Sequence, residues 1–137
     1  MKRFLEGLQS PIVNAAAAGT QARGDAAEAL AARFLSDRGV RVLARKVRCR
    51  GGEIDLIAQD GETVVFVEVR LRSNARFGGS AASISGCKRR RIIHAASWWL
   101  AGAGKSMAHR PCRFDAILMS ALDAQTIQWL QGAFDAD

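Results

Sequence analysis

Four residues alternate closely enough to do chemistry together. Glu53 and Asp55 lie in Gly52-Glu53-Ile54-Asp55-Leu56-Ile57, and Glu68 and Arg70 in Val65-Phe66-Val67-Glu68-Val69-Arg70. Asp60-Gly61 between them favours a two-residue hairpin turn. With that turn Glu53 faces Glu68 and Asp55 faces Phe66. Strand alternation then puts Glu53, Asp55, Glu68 and Arg70 on one face, with Ile54, Leu56, Val65, Val67 and Val69 on the other. Opposed like charges weaken a strand pair, and apolar neighbours raise the cost of keeping them ionised. Three arrangements relieve this: Arg70 as counter-ion, a divalent cation, or an edge face whose acids are solvated or paired with nearby arginines. Mg²⁺, or Mn²⁺ in its place, suits one or two carboxylates completed by water and phosphate oxygens. Such an ion polarises a phosphodiester and lowers the pKa of a bound water.

The elements that must hold these residues follow from pattern. Ala27, Leu30, Ala31, Phe34 and Leu35 recur at helical spacing between Gln21 and Arg38, with Gly39 as the stop. Val40 to Arg50, Glu53 to Gln59 and Thr63 to Arg72 are strand-like, the last two an antiparallel hairpin. Residues 73–83 form a Gly, Ser and Ala loop carrying Arg76-Phe77-Gly78-Gly79. A second helix spans roughly Ser85 to Ala101. Its stripe Ile92, Ala95, Ala96, Trp99 extends back onto Lys88 and Arg91, which therefore point toward the sheet. Lys88 then either reaches the carboxylates or runs its stem along the core edge with its charge in water. Strands at Arg113 to Ala121 and Thr126 to Leu130 complete an α/β fold, a mixed sheet with flanking helices. Residues 1–20 are expected to be a mobile leader, 21–131 one domain and 132–137 a tail.

Composition narrows the partners. The 137 residues suffice for one domain with a core. Hydrophobic residues make up 49%, too many for a disordered basic tail. The net charge is +7, and ten of the twenty positive residues lie between Val69 and Phe114, where there is no Asp or Glu. Arg70, Arg72, Arg76, Lys88, Arg89 and Arg91 belong to that stretch, which suits a phosphate backbone. Cys49, Cys87 and Cys112 are odd in number and widely spaced, without a disulfide or zinc pattern, and are expected to be buried free thiols. Of Trp98 and Trp99, adjacent on a helix, one is expected to pack inside and the other to lie nearer the surface. Asp115, after Arg113-Phe114, is expected to form a structural ion pair. No apolar run reaches the roughly 20 residues of a membrane helix, and a cytoplasmic location is expected.

The paired GEIDLI and FVEV motifs resemble the active-site hairpin of the PD-(D/E)xK nuclease superfamily. More narrowly they resemble the bacterial YraN-type family of restriction-endonuclease-like proteins, related in fold to Holliday junction resolvases. The likeness runs from about Gly24 to Ser120, taking in Glu28, the Phe77-Gly78 loop, Lys88 and Arg113-Phe114-Asp115. It implies a restriction-endonuclease-like αβββαβ core, with Asp55 and Glu68 as ligands of Mg²⁺ or Mn²⁺ and the Val69 carbonyl beside them. Glu28 matches a helix-one glutamate that reaches the metal through water. Glu53 is a weaker ligand candidate, either a supporting acid or a partner of Arg70 or Arg72. The family's superfamily places a lysine where this chain has Arg70, which keeps its proton and cannot act as a general base. Arg70 can still meet a phosphate, and Lys88 is the replacement lysine the sequence offers. Two functions follow: a metal-dependent endonuclease of DNA, branched DNA included, or a nucleic-acid-binding module with the nuclease fold and little activity. A membrane-surface scaffold is disfavoured, because no apolar insertion face opposes the basic residues. Resolvase-like enzymes are often two-fold dimers, so a homodimer is among the assemblies implied.

Overall fold

The structure, a computed structural model, describes residues 15–72 and 84–136, with side chains from residue 19 onward. Arg76, the Phe77-Gly78 loop and residues 1–14 of the expected leader lie outside the described residues. Helix α1 (Ala15–Asp37) begins before Thr20 and ends at the expected Gly39 turn, where Val40 N–H donates to Leu35 O at 3.0 Å. Strands β1 (Arg41–Cys49), β2 (Gly52–Asp60) and β3 (Thr63–Leu71) form an antiparallel meander. Helix α2 (Gly86–Ala101) then crosses to β4 (Cys112–Met119), which lies parallel to β3, and β5 (Gln128–Phe134) closes the other edge antiparallel. The mixed sheet has the order β1-β2-β3-β4-β5. Parallel pairing of β3 and β4 requires a crossover of this length.

The two helices cover opposite faces of the sheet. Ala27, Ala31, Ala32 and Leu35 of α1 pack on Leu56, Val65, Val67, Ile117 and Met119. Ile92, Ala95, Ala96 and Trp99 of α2 pack on Ile57, Phe66, Phe114 and Leu118. Strand β3 is central and buried on both sides from Val64 to Glu68, which explains its near-continuous apolar run. Ser85 caps α2 by accepting from Lys88 N–H at 3.1 Å. Gly52 lets β2 approach that helix, since a Cβ there would lie 2.5 Å from Arg91 O. Phe134 is buried, so the tail expected at 132–137 contributes to the sheet.

Three expectations need correction. The β2–β3 turn is Gly61-Glu62 rather than Asp60-Gly61: Asp60 pairs with Thr63, and Ile57 rather than Asp55 faces Phe66. Gly61 takes the positive φ of 62° that the turn demands. Strict alternation also fails along β2, since Ile54 and Ile57 both pack under α2 while Leu56 packs under α1. The cysteines are free as expected, but Cys87 and Cys112 are exposed rather than buried. Trp99 is buried and Trp98 is exposed, as their adjacency on one helix requires.

Candidate functional site

The irregularity in β2 makes the site. Recorded pairing of β2 with β3 runs from Asp60↔Thr63 to Leu56↔Val67 and goes no further, whereas β3 stays paired with β4 as far as Leu71. At this fork the Val69 N–H donates to Asp55 Oδ2 at 2.8 Å, so a side-chain carboxylate stands where a backbone carbonyl would. Asp55 lines a cavity of about 360 Å³ on the α1 face, together with Arg23, Gly24, Glu28, Val69 and Arg72. Glu68 is 7% exposed and belongs to the α2 face, 3.5 Å from Lys88 Nζ. The fork lets the two acids meet although they come from opposite faces: Asp55 interacts with both Glu68 and Glu28.

This meeting is electrostatically costly. Burial, and then the charge of Glu68, push the Asp55 carboxyl up to about 6. Burial also raises Glu28, opposed by Lys46, whose Nζ lies 2.8 Å from Glu28 Oε1 and also contacts Asp25. Glu68 Oε1 is buried and has no hydrogen-bond partner among the described residues. Lys88 brings one positive charge to Glu68, and a divalent cation would offset the Asp55–Glu68 repulsion further and give Glu68 Oε1 a partner. Among the described residues no group of three His, Cys, Asp or Glu forms a metal cage. Mg²⁺ needs only one or two carboxylates, so Asp55 and Glu68 fit such an ion and do not fit structural zinc.

The other expected residues distribute as follows. Lys88 does reach the carboxylates, 3.4 Å from Glu53 Oε2 as well as near Glu68. Glu53 pairs with Lys88 and, at 3.6 Å, with Arg91. Arg70 is half-buried on β3, and Arg72 stands at the cavity. Arg89 Nε donates to Ile84 O at 2.8 Å, tying down the start of α2. Asp115 forms the expected structural ion pair, with Arg113 Nε at 2.8 Å.

Lys46 is the residue that pattern missed. Arg45 pairs with Leu56 and Val47 with Ile54, so Lys46 stands opposite Asp55 in β1. It is the one non-glycine residue with positive φ, 50°, among the described residues. That conformation is uncommon and strained for lysine, and it turns the side chain toward Asp25 and Glu28 on α1. The register was available from the Arg50-Gly51 turn, but the left-handed residue was not. Arg23 was also missed, although Arg23, Gly24, Ala27 and Glu28 share one stripe of α1 at steps of three and four.

No helix among the described residues is long and apolar enough to cross a membrane. Comparison with known proteins finds a match to the model of "Uncharacterised protein family UPF0102" over residues 27–119. A UPF0102 protein of Methylobacillus flagellatus is 55% identical over 113 residues, 82% of this chain and 96% of that one. One from Dechloromonas aromatica is 50% identical over 118 residues, 86% and 92% of the two chains. The UPF0102 protein YraN of Salmonella arizonae is 46% identical over 112 residues, 82% and 83%.

Proposed function

The chain belongs to the UPF0102 family, the YraN-type family that its GEIDLI and FVEV motifs resemble, and we propose that it is a divalent-metal-dependent hydrolase of nucleic-acid phosphodiesters, acting on DNA. The proposal includes a restriction-endonuclease-like fold, supported by the αβββαβ order and the forked hairpin. The observation that carries the function is the half-buried Asp55 meeting the buried Glu68 from the opposite face, with Glu68 Oε1 lacking a hydrogen-bond partner among the described residues.

Asp55 and Glu68 would hold Mg²⁺ or Mn²⁺, with the Val69 carbonyl adjacent. When bound, the ion would polarise the phosphodiester and acidify a water. The Val69 N–H fixes the Asp55 carboxylate, and Lys88 bridges Glu68 and Glu53, holding that side of the fork. Arg70 stands where superfamily enzymes have lysine and supplies positive charge without acting as a base. That substitution favours the second reading, a nucleic-acid-binding module of low activity. Cleavage of labelled linear, flapped and four-way DNA in Mg²⁺ or Mn²⁺ separates the two. Cutting that is lost in Asp55→Ala and Glu68→Ala is expected, and equal cutting by all three proteins would exclude the hydrolase. Binding without cutting by the native chain would favour the module.

A further inference from the structure

The cavity over Asp55 contains two cations and one space that the metal pair does not explain. Arg23 and Arg72 line it with Glu28 and Asp55; among the described residues neither forms a salt bridge to an acid, and Arg72 Nη1 donates to the Leu71 carbonyl at 3.0 Å. The α2 face differs: Lys88 and Arg91 are engaged by Glu53, and Arg89 by the Ile84 carbonyl. The cations that line the cavity beside Asp55 are on the α1 side. Gly24 supplies the space. It lies within α1, where glycine is less stable than alanine, and a Cβ built on it meets nothing within 4 Å. Packing does not require glycine at this position. A side chain there would project into the cavity that Gly24 lines.

We propose that this cavity is a phosphate cradle in which Arg23 and Arg72 hold a nucleic-acid phosphate above Asp55 and Gly24 keeps room for it, so that the strand enters from the α1 face of the sheet. The assignment rests on the phosphodiesterase reading and adds to it the route of entry. Guanidinium groups grip phosphate oxygens through paired donors. A cavity of about 360 Å³ takes a small group and excludes a duplex, so the strand presents one phosphate at a time.

The test is fluorescence anisotropy with a short labelled oligonucleotide, made as DNA and as RNA, in Ca²⁺, with its integrity checked by gel. Arg23→Ala and Arg72→Ala should each weaken binding about fivefold to tenfold. Each should lower the slope of log affinity against log salt by about 1. Gly24→Leu should melt no lower than the native protein yet lose binding, while Arg33→Ala, exposed on α1 away from the cavity, should bind as the native does. If Gly24→Leu does not fold, Arg23→Ala carries the test by itself. A native protein that binds neither oligonucleotide overturns the cradle, as does native affinity in Arg23→Ala. Native affinity in Arg23→Ala, with cleavage still lost in Asp55→Ala, removes the cradle and leaves the hydrolase. Binding that depends on Arg23 without metal-dependent cleavage removes the hydrolase and leaves the cradle.

Discussion

Two places in the sheet use an aspartate to mend a break in the backbone ladder, and they differ in what surrounds it. At the β4–β5 bulge, Asp115 is fully buried and its Oδ1 accepts from Gly132 N–H at 3.0 Å. The same carboxylate receives Arg113 Nε at 2.8 Å, Arg113 Nη2 at 3.0 Å and Trp129 Nε1 at 2.9 Å. Arg113 also reaches Asp60, so this corner links β2, β4 and β5. At the β2–β3 fork, Asp55 likewise accepts a backbone N–H, but its other neighbours are Glu68 and Glu28. One buried acid is satisfied by four donated hydrogen bonds and serves architecture. The other gathers further acids around it, a repulsion that the proposed metal would offset.

The contrast is broken most forcefully at Asp115. Asp115→Ala leaves Arg113, the Trp129 indole and the Gly132 amide without their acceptor, and should cost about 3–5 kcal/mol in urea unfolding. A loss under about 1 kcal/mol would mean that the corner is not what holds β5.

Asp55 should respond in the opposite sense. Its folded pKa, about 6, lies above the ordinary 3.8, so between those values the folded state holds more protons than the unfolded. Metal-free stability should therefore fall as pH rises through about 6, and the full penalty should be present above it. Asp55→Asn keeps the acceptor for Val69 N–H and removes the charge. It should stabilise the metal-free protein by about 1–3 kcal/mol at pH 7.5 and flatten that part of the pH profile. Destabilisation at every pH would show that Asp55 is structural in the way that Asp115 is.

Both carboxylate regions were legible to different degrees. Asp55 and Glu68 stood out because acids interrupting Val- and Ile-rich strands are costly, and Asp115 because Arg113 is two residues away on the same strand face. Asp60-Gly61 and Gly61-Glu62 are both plausible two-residue turns around one glycine, and they set registers two residues apart. The fork itself could not be read from alternation, which assumes an unbroken ladder, and Asp55 replaces part of that ladder with its side chain. Helix α2 is legible in the sequence down to Lys88 and Arg91 facing the sheet, because its stripe has only one way to meet the core. The bend at Lys46 was invisible, since lysine gives no hint of a left-handed backbone.

The smallest expected effect is at Lys46. Lys46→Asn relieves positive-φ strain, which asparagine tolerates, and loses partly exposed ion pairs to Asp25 and Glu28. Its stability should stay within about 1 kcal/mol of native. Mn²⁺ affinity should rise a few-fold, because a competing cation beside Glu28 is gone. Weakened Mn²⁺ binding would instead make Lys46 a support for the ligands.

The most direct measurement is anomalous diffraction from crystals soaked in Mn²⁺, paired with calorimetric titration of the same ion into native protein, Asp55→Asn, Glu68→Gln and Asp115→Asn. An incomplete acid pair at the fork predicts a peak bridging the Asp55 and Glu68 carboxylates. It also predicts binding that is lost in Asp55→Asn and Glu68→Gln and retained by the folded Asp115→Asn. No peak at the fork, or equal binding by all four proteins, would contradict it.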